Sequence, residues 1–383
     1  MSGPLDGIRV LDLTRVVMGP LATQILADQG ADVILIEAAD GDTNRVMGPG
    51  PHAELSGIAL NLLRNKKSVS LDLKSELGRQ AIAALVRSSD VVVSTMRPQV
   101  LVRLGLDYST LTAFRPDLVY CQAQGFRLDG PKANDPAYDD IIQAATGVSD
   151  LVGRVTGQPG LLPTIYADKV CGLVIAQAVS AALVQRERTG RGQHIEVAMD
   201  QTMTAFNLVE HGAGAIAEPP VHAPGRPATG YPRVLTPQRR PHPSQDGWVH
   251  LLPYSPAHYM RLFGDAGLPD ALTDPRYADM RATISNSDSL YADVRRITPT
   301  RTTQDWLDYC RVVGIPATRV ATLQDLVDDL PLRDHPAVGQ FRMTPALANF
   351  AGQADVLRRP APLIGADTDA VLAELGLDVA AAG

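Results

Sequence analysis

Short runs of β-branched residues and leucine, each followed by a stretch of helix length, recur through the first third of the chain. GIRVLDL (7–13) reads as a buried strand, VVMGPLATQILADQGA as a helix begun near Pro20 and closed near Gly30, and DVILIE (32–37) as the next strand. KKSVSLDL, the amphipathic SELGRQAIAALVRS, DVVVST and DLVYCQAQGF continue the pattern. Strands separated by helix-length segments cannot pair through tight hairpins, so they pair in parallel through crossovers. The predicted class is α/β, built on a parallel, doubly wound sheet.

A chain of 383 residues exceeds what one hydrophobic core usually serves, so a second unit is expected. The run from Lys169 to Arg188 has helix length and no internal proline, and GQHIEVAM then alternates Ile195, Val197 and Met199 as a strand does. Beyond it, AEPPVHAPGRPATGYPRVLTPQRRPHPSQDG gathers many of the prolines and reads as a long linker. The expected layout is a large domain over 1–212, a linker over 213–247, a small domain over 248–325 and a C-terminal segment over 326–383. Helices are expected near 255–266, 289–297 and 303–313, with a last one in DAVLAELG.

Several function classes are excluded by composition and spacing. The net charge of −7 and the scattered Lys and Arg residues offer no basic face for nucleic acid. The N-terminus lacks the basic and apolar regions of a secretory signal. No apolar run reaches spanning length, Val170 to Val184 being broken by Gln177 and Ser180, so no membrane is expected and the predicted location is the cytoplasm. Cys121, Cys171 and Cys310 are odd in number and widely spaced, which suggests buried thiols rather than disulfides. No histidine stands at HxxxH or HxH spacing, so no metal site is expected. Glu37 ends a βαβ unit as a ribose-binding carboxylate would, but the first turn, TRVVMGP, lacks the glycine fingerprint of a dinucleotide site. GPGPH at 48–52 reads as an ordinary loop, and Ser56 lacks a nucleophile-elbow frame. Asp139 and Asp140, adjacent on a predicted helix, read as dipole-complementing residues.

One carboxylate stands apart. In PTIYADKVCGLVIAQ, Asp168 precedes a long apolar run, a place where aspartate commonly caps a helix. The setting is apolar, and Gly172 allows another backbone or a ligand to come close.

Taken together, VLDLTRVVMGPLATQILADQGADVILIE, RNKKSVSLDL, MRPQVLVRLGL, PAYDDIIQAATG, IYADKVCG and RTGRGQHIEVAM resemble the class III CoA-transferases. That family includes carnitine and formyl-CoA transferases and the α-methylacyl-CoA racemases. DPRY (274–277), TRTTQDWL and GIPATRV extend the likeness through the second unit. The resemblance implies an interlocked homodimer, with a Rossmann-like large domain and a smaller α+β domain joined by long linkers, and a C-terminal tail that returns to the large domain. It implies acyl-CoA and a carboxylic acid as substrates, with no permanently bound cofactor.

By the same resemblance, Asp168 falls on the family nucleophile. A carboxylate suits the reaction because it is expected to be ionised at neutral pH without a helping base, and amides at the helix start are candidates for stabilising oxyanions. CoA contacts fall on Arg15, Val16, Val17, Met18, Leu71, Thr95, Met96 and Arg103, with Arg97 as a phosphate partner and Tyr138 also at the cleft. Many members carry Asn at the Thr95 position and an aromatic residue at Met96. Formyl-CoA transferases carry Gln where Val17 stands, so formyl or oxalyl transfer is not expected. The rival reading is racemisation, which needs an acid/base group on each face of the alpha carbon. The racemase histidine reads Tyr138, followed by Asp139, and the glutamate reads Ser255; tyrosine titrates at roughly 10 and serine higher. A third reading, a CoA-binding homologue without turnover, is left open by Lys169, Thr95 and Met96.

Overall fold

The computed structural model describes residues 3–222, 225, 227–268, 270–353 and 355–377. Residues 1, 2 and 269 of the two expected domains, 223, 224 and 226 of the expected linker, and 354 and 378–383 of the expected C-terminal segment lie outside the described residues. Two compact units are present, one comprising Met1–Thr146, Leu162–Phe206 and Leu330–Gly383, the other Gly147–Leu161 and Asn207–Asp329.

In the first unit, β1 (Arg9–Leu13), β2 (Asp32–Glu37), β3 (Lys66–Ser70), β4 (Val91–Ser94), β5 (Val119–Gln124) and β6 (Gln193–Ala198) form one sheet in the order β3-β2-β1-β4-β5-β6. Every pairing is parallel. Helices cover both faces, which is why the central strands are apolar at nearly every position instead of alternating. The chain-order helices are α1 (Met18–Asp28), α2 (Gly57–Leu62), α3 (Glu76–Ser88), α4 (Pro98–Leu104), α5 (Tyr108–Thr112), α6 (Asp139–Ala145), α7 (Val148–Thr156) of the second unit, α8 (Ala167–Thr189) and α9 (Met199–His211). On one face α1 and α8 pack against Val91, Val93, Val119 and Cys121; on the other, α3 and α4 pack against Leu11, Leu13, Val92 and Tyr120.

The 23 residues of α8 are long and apolar enough to cross a membrane, more than the sequence reading allowed. Half of its apolar window is buried in the protein, with Cys171, Ile175 and Val179 in the core, as in the central helix of a globular unit. All three cysteines are buried, and burial pushes the thiols of Cys121 and Cys171 up to about 12 and that of Cys310 to about 11.

Several charges inside this unit are paired. Lys66, wholly buried, reaches Asp12 at 3.0 Å and donates to the Pro20 carbonyl and Thr23, tying β1, α1 and β3 together. Arg64 pairs with Asp28 at 2.7 Å, and Arg45 with Glu37. Along the sheet edge, the amides of Ser68 and Ser70 in β3 donate to Asp367 and Thr368, both at 2.9 Å. Thr368 begins α15 (Thr368–Glu374), which follows the hairpin β10 (Leu332–His335) and β11 (Gly339–Arg342) of the same unit. Polar side chains thus occupy hydrogen-bonding groups that an open edge would expose.

The second unit has its own core, centred on Trp306, Tyr259, Phe263 and Tyr277. A small antiparallel sheet of β7 (His242–Pro243), β8 (Trp248–Leu251) and β9 (Ala317–Arg319) carries α10 (Pro256–Asp265), α11 (Met280–Ser285), α12 (Ser287–Ile297), α13 (Thr303–Val313) and α14 (Leu323–Asp328). Ser255, read from sequence as a possible acid/base position, caps α10 by accepting from the His258 amide at 3.2 Å.

Candidate active site

Between β1 and β4 the strand order reverses, so the chain leaves these neighbouring strands toward opposite faces and opens a crevice beyond their C-terminal ends. A cavity of about 700 Å³ lies there, wholly within the first unit. Its wall runs from the β1–α1 turn, past the ends of β2, β3, β4 and β5, to the first turn of α8.

Asp168 is the second residue of α8 and is 8% exposed, its exposed part on the cavity wall. The helix begins at Ala167, after Tyr166, so Asp168 is not the cap that its local sequence suggested. The capping group comes from elsewhere: Asp139, the buried first residue of α6, accepts the Asp168 amide at 3.0 Å through Oδ1. Its Oδ2 accepts from Gln143 Nε2 at 2.6 Å, and Gln143 Oε1 in turn accepts from the Leu162 amide at 3.0 Å. Asp139 therefore does more than complement its own helix dipole, whereas Asp140 is exposed. Because this amide is taken, the Asp168 N–H is not available to an oxyanion.

No described residue donates a hydrogen bond to the Asp168 carboxylate, so nothing offsets its burial. Burial first, and the Asp139 carboxylate second, push it up to about 7. This corrects the expectation of a fully ionised group: near neutral pH the free protein holds both protonation states. The apposition of α8 to the cavity depends on Gly172, where an added Cβ would stand 2.8 Å from the Met18 carbonyl oxygen. Only glycine lets the start of α8 press onto the start of α1.

The cavity wall brings together Arg15, Val16, Met18, Leu71, Thr95, Met96, Arg97, Tyr138 and Asp168 from the positions singled out in the sequence. Thr95 Oγ1 accepts the Arg15 amide at 3.0 Å, joining the loops after β1 and β4. Arg15 and Arg97 are exposed, Tyr138 stands 67% exposed at the start of α6, and Met18 and Leu71 are buried. Two positions do not join them. Val17 packs inward with Leu35, Leu55 and Phe341, and Arg103 points to solvent in the last turn of α4, outside the cavity wall. With Val17 off the wall, that position gives no ground for excluding formyl or oxalyl transfer.

The structure adds residues that the sequence reading passed over. Lys74 places a third exposed cation on the wall, and Gln124 ends β5 with Nε2 donating to Glu196 at 3.2 Å while its buried Oε1 has no partner among the described residues. Both lie just at or beyond a strand end, where ligands of open α/β sheets gather, and that rule was the available signal. Glu37 also reaches the wall, but its carboxylate is held by Arg45 and Ser68 rather than left for a ribose. Among the described residues no cluster of His, Cys, Asp and Glu side chains could hold a metal ion.

Compared with known proteins, residues 5–368 match the sequence pattern of CoA-transferase family III. The chain is 32% identical to a succinate–glutarate CoA-transferase of Agrobacterium fabrum, over 97% of this chain and 96% of that protein. It is 34% identical to an acetyl-CoA:oxalate CoA-transferase of Acetobacter aceti, over 82% of this chain and 80% of that one. Among solved structures, a CaiB/BaiF family protein from Brucella suis matches with a TM-score of 0.79 and 30% identity, covering 98% of this chain and all of the other (100%).

Proposed function

The chain belongs to CoA-transferase family III, and from that premise we propose that it moves CoA from an acyl-CoA to a carboxylic acid through a covalent intermediate on Asp168. The observation that carries the reading is the Asp168 carboxylate itself, buried on the wall of the cleft with no hydrogen-bond donor among the described residues. A carboxylate stripped of hydration and left unpaired is a stronger nucleophile than one in water.

In the first half-reaction the Asp168 carboxylate attacks the thioester carbonyl, CoA leaves as a thiolate, and a mixed anhydride forms. The thiolate then attacks the aspartyl carbonyl, which releases the donor's acid and leaves an aspartyl-CoA thioester. In the second half-reaction the incoming carboxylate attacks that thioester, and the thiolate returns to the new acyl carbonyl and frees Asp168. Intramolecular transfer within a dicarboxylic acid uses the same steps. Arg15, Lys74 and Arg97, exposed along the cleft, suit the CoA phosphates.

Racemisation has less support, because Tyr138 is no His and Ser255 is occupied as a helix cap. Interlocking of two chains belongs to the proposal, and the exposed apolar side chains of Leu173 and Val184 on α8, and of Phe206 and Val209 on α9, are the kind of surface a second copy covers. Incubation with an acyl-CoA, quenching with hydroxylamine and peptide mass spectrometry test the chemistry. A hydroxamate on Asp168 is expected; deuterium exchange at the alpha carbon without it would overturn the transfer reading. Light scattering is expected to give a dimer mass, and a monomer at micromolar concentration would remove the interlocked assembly.

A further inference from the structure

Val16 adopts a left-handed backbone, φ 68°, a conformation that a β-branched residue avoids because its Cβ crowds the following carbonyl. It lies on the cavity wall, between Arg15 and the start of α1. Such a conformation persists only where the surroundings over-determine it. Here they do so through both backbone groups of Val16: its amide donates to Asp42 Oδ1 at 3.0 Å, and its carbonyl accepts from Asn44 Nδ2 at 3.2 Å.

Asp42 is itself fixed. It is buried, it caps the 3₁₀ turn Thr43–Val46 by accepting the Asn44 amide through the same Oδ1 at 3.0 Å, and its other oxygen lies 4.0 Å from Arg15 Nε. Arg45 anchors that turn from behind through its buried pair with Glu37.

We propose that Asp42 is a positioning residue for CoA: it holds Val16 left-handed, and through Val16 it sets the shape of the β1–α1 turn that presents Arg15 and Met18 to the cleft. The proposal rests on the reading that this cleft holds CoA. It requires that losing Asp42 weaken CoA binding far more than turnover, and that the loss shrink when residue 16 no longer resists positive φ. Glycine meets that condition, since it populates left-handed backbone as readily as right-handed.

The test is a cycle of Asp42→Ala, Val16→Gly and the double variant, read by calorimetry with CoA and by steady-state kinetics. Asp42→Ala is expected to raise the Kd for CoA and the KM for acyl-CoA about tenfold, with kcat within about threefold; in the Val16→Gly background the same change is expected to cost less than about threefold. An equal loss in both backgrounds, or no loss in either, overturns the proposal. Should Asp42→Ala fail to fold, Asp42→Asn keeps a carbonyl acceptor for the Val16 amide and is expected to retain binding within about threefold. A tenfold loss there would assign the effect to charge on Arg15 and overturn the backbone role. If the parent protein binds no CoA, the reading of the cleft fails on its own. The urea midpoints of the same variants then decide the backbone role, with Val16→Gly again expected to recover part of the Asp42→Ala loss.

Discussion

Glu37 and Asp168 are two carboxylates on the wall of one cleft, 5% and 8% exposed. Their surroundings differ in one respect. Glu37 faces the Arg45 guanidinium and the Ser68 hydroxyl, with Arg45 Nε at 2.7 Å, whereas Asp168 faces another carboxylate and receives no hydrogen bond from any described residue. Burial is therefore common to both, and what distinguishes them is the partner. A buried charge with a matched partner holds a structure together, and one without a partner is maintained at a cost that function must explain.

The comparison breaks first at Asp168. Replacing it with alanine is expected to lower acyl transfer by at least about a thousandfold, measured by exchange of label between acyl-CoA and free acid, because the proposed covalent intermediate forms on this side chain. A loss of less than about tenfold would mean that the unpartnered carboxylate is not the reactive one. At Glu37 the expected damage is to the fold. Arg45→Leu leaves a buried carboxylate unpaired and should cost about 3–5 kcal/mol in urea unfolding, and a cost under about 1 kcal/mol would erase the contrast.

A subtler effect follows from protonation. The Asp168 carboxyl is raised to about 7 in the folded chain, while in an unfolded chain it titrates near 4. Between those values the folded protein holds a proton that the unfolded one has lost, so the contribution to stability is full below about pH 4 and is lost as pH rises through about 7. Asp168→Asn, which cannot ionise, should then be more stable than the parent by about 1–3 kcal/mol at pH 8 and nearly equal to it at pH 4. Equal stabilities at both pH values would place the titration elsewhere. The smallest expected effect is on the pH profile. The parent's kcat/KM should climb through about pH 7 as the proposed nucleophile, Asp168, ionises, and Asp139→Asn should move that climb to lower pH by removing the neighbouring charge.

How much of this was legible in the sequence depended on how local each cause was. The parallel sheet was legible, because strands buried on both faces must be nearly continuous apolar runs, and DVILIE, DVVV and LVYC are such runs. Short helices such as α2 and α5 were not, since six or five residues carry too little periodicity to register. At the site, Asp168 was found by resemblance, but its environment was hidden. Burial is the main cause of its raised pKa, and the group that caps its helix and adds to that rise is Asp139, 29 residues earlier. Val17 shows the limit of copying positions: it follows a left-handed Val16 and packs into the core, and nothing in TRVVMGP announces a positive φ at valine.

The cover on β3 has a consequence for biosynthesis. Asp367 pairs with Ser68 across a separation of 299 residues, so the edge of the sheet is made long before the segment that closes it. At about 5–20 residues per second, the nascent strand waits roughly 15–60 s for its partner. Within that interval every residue of the second unit is synthesised. The order of completion is thus the reverse of the order of synthesis: the unit begun first on the ribosome finishes last, and only once the C-terminal segment has emerged.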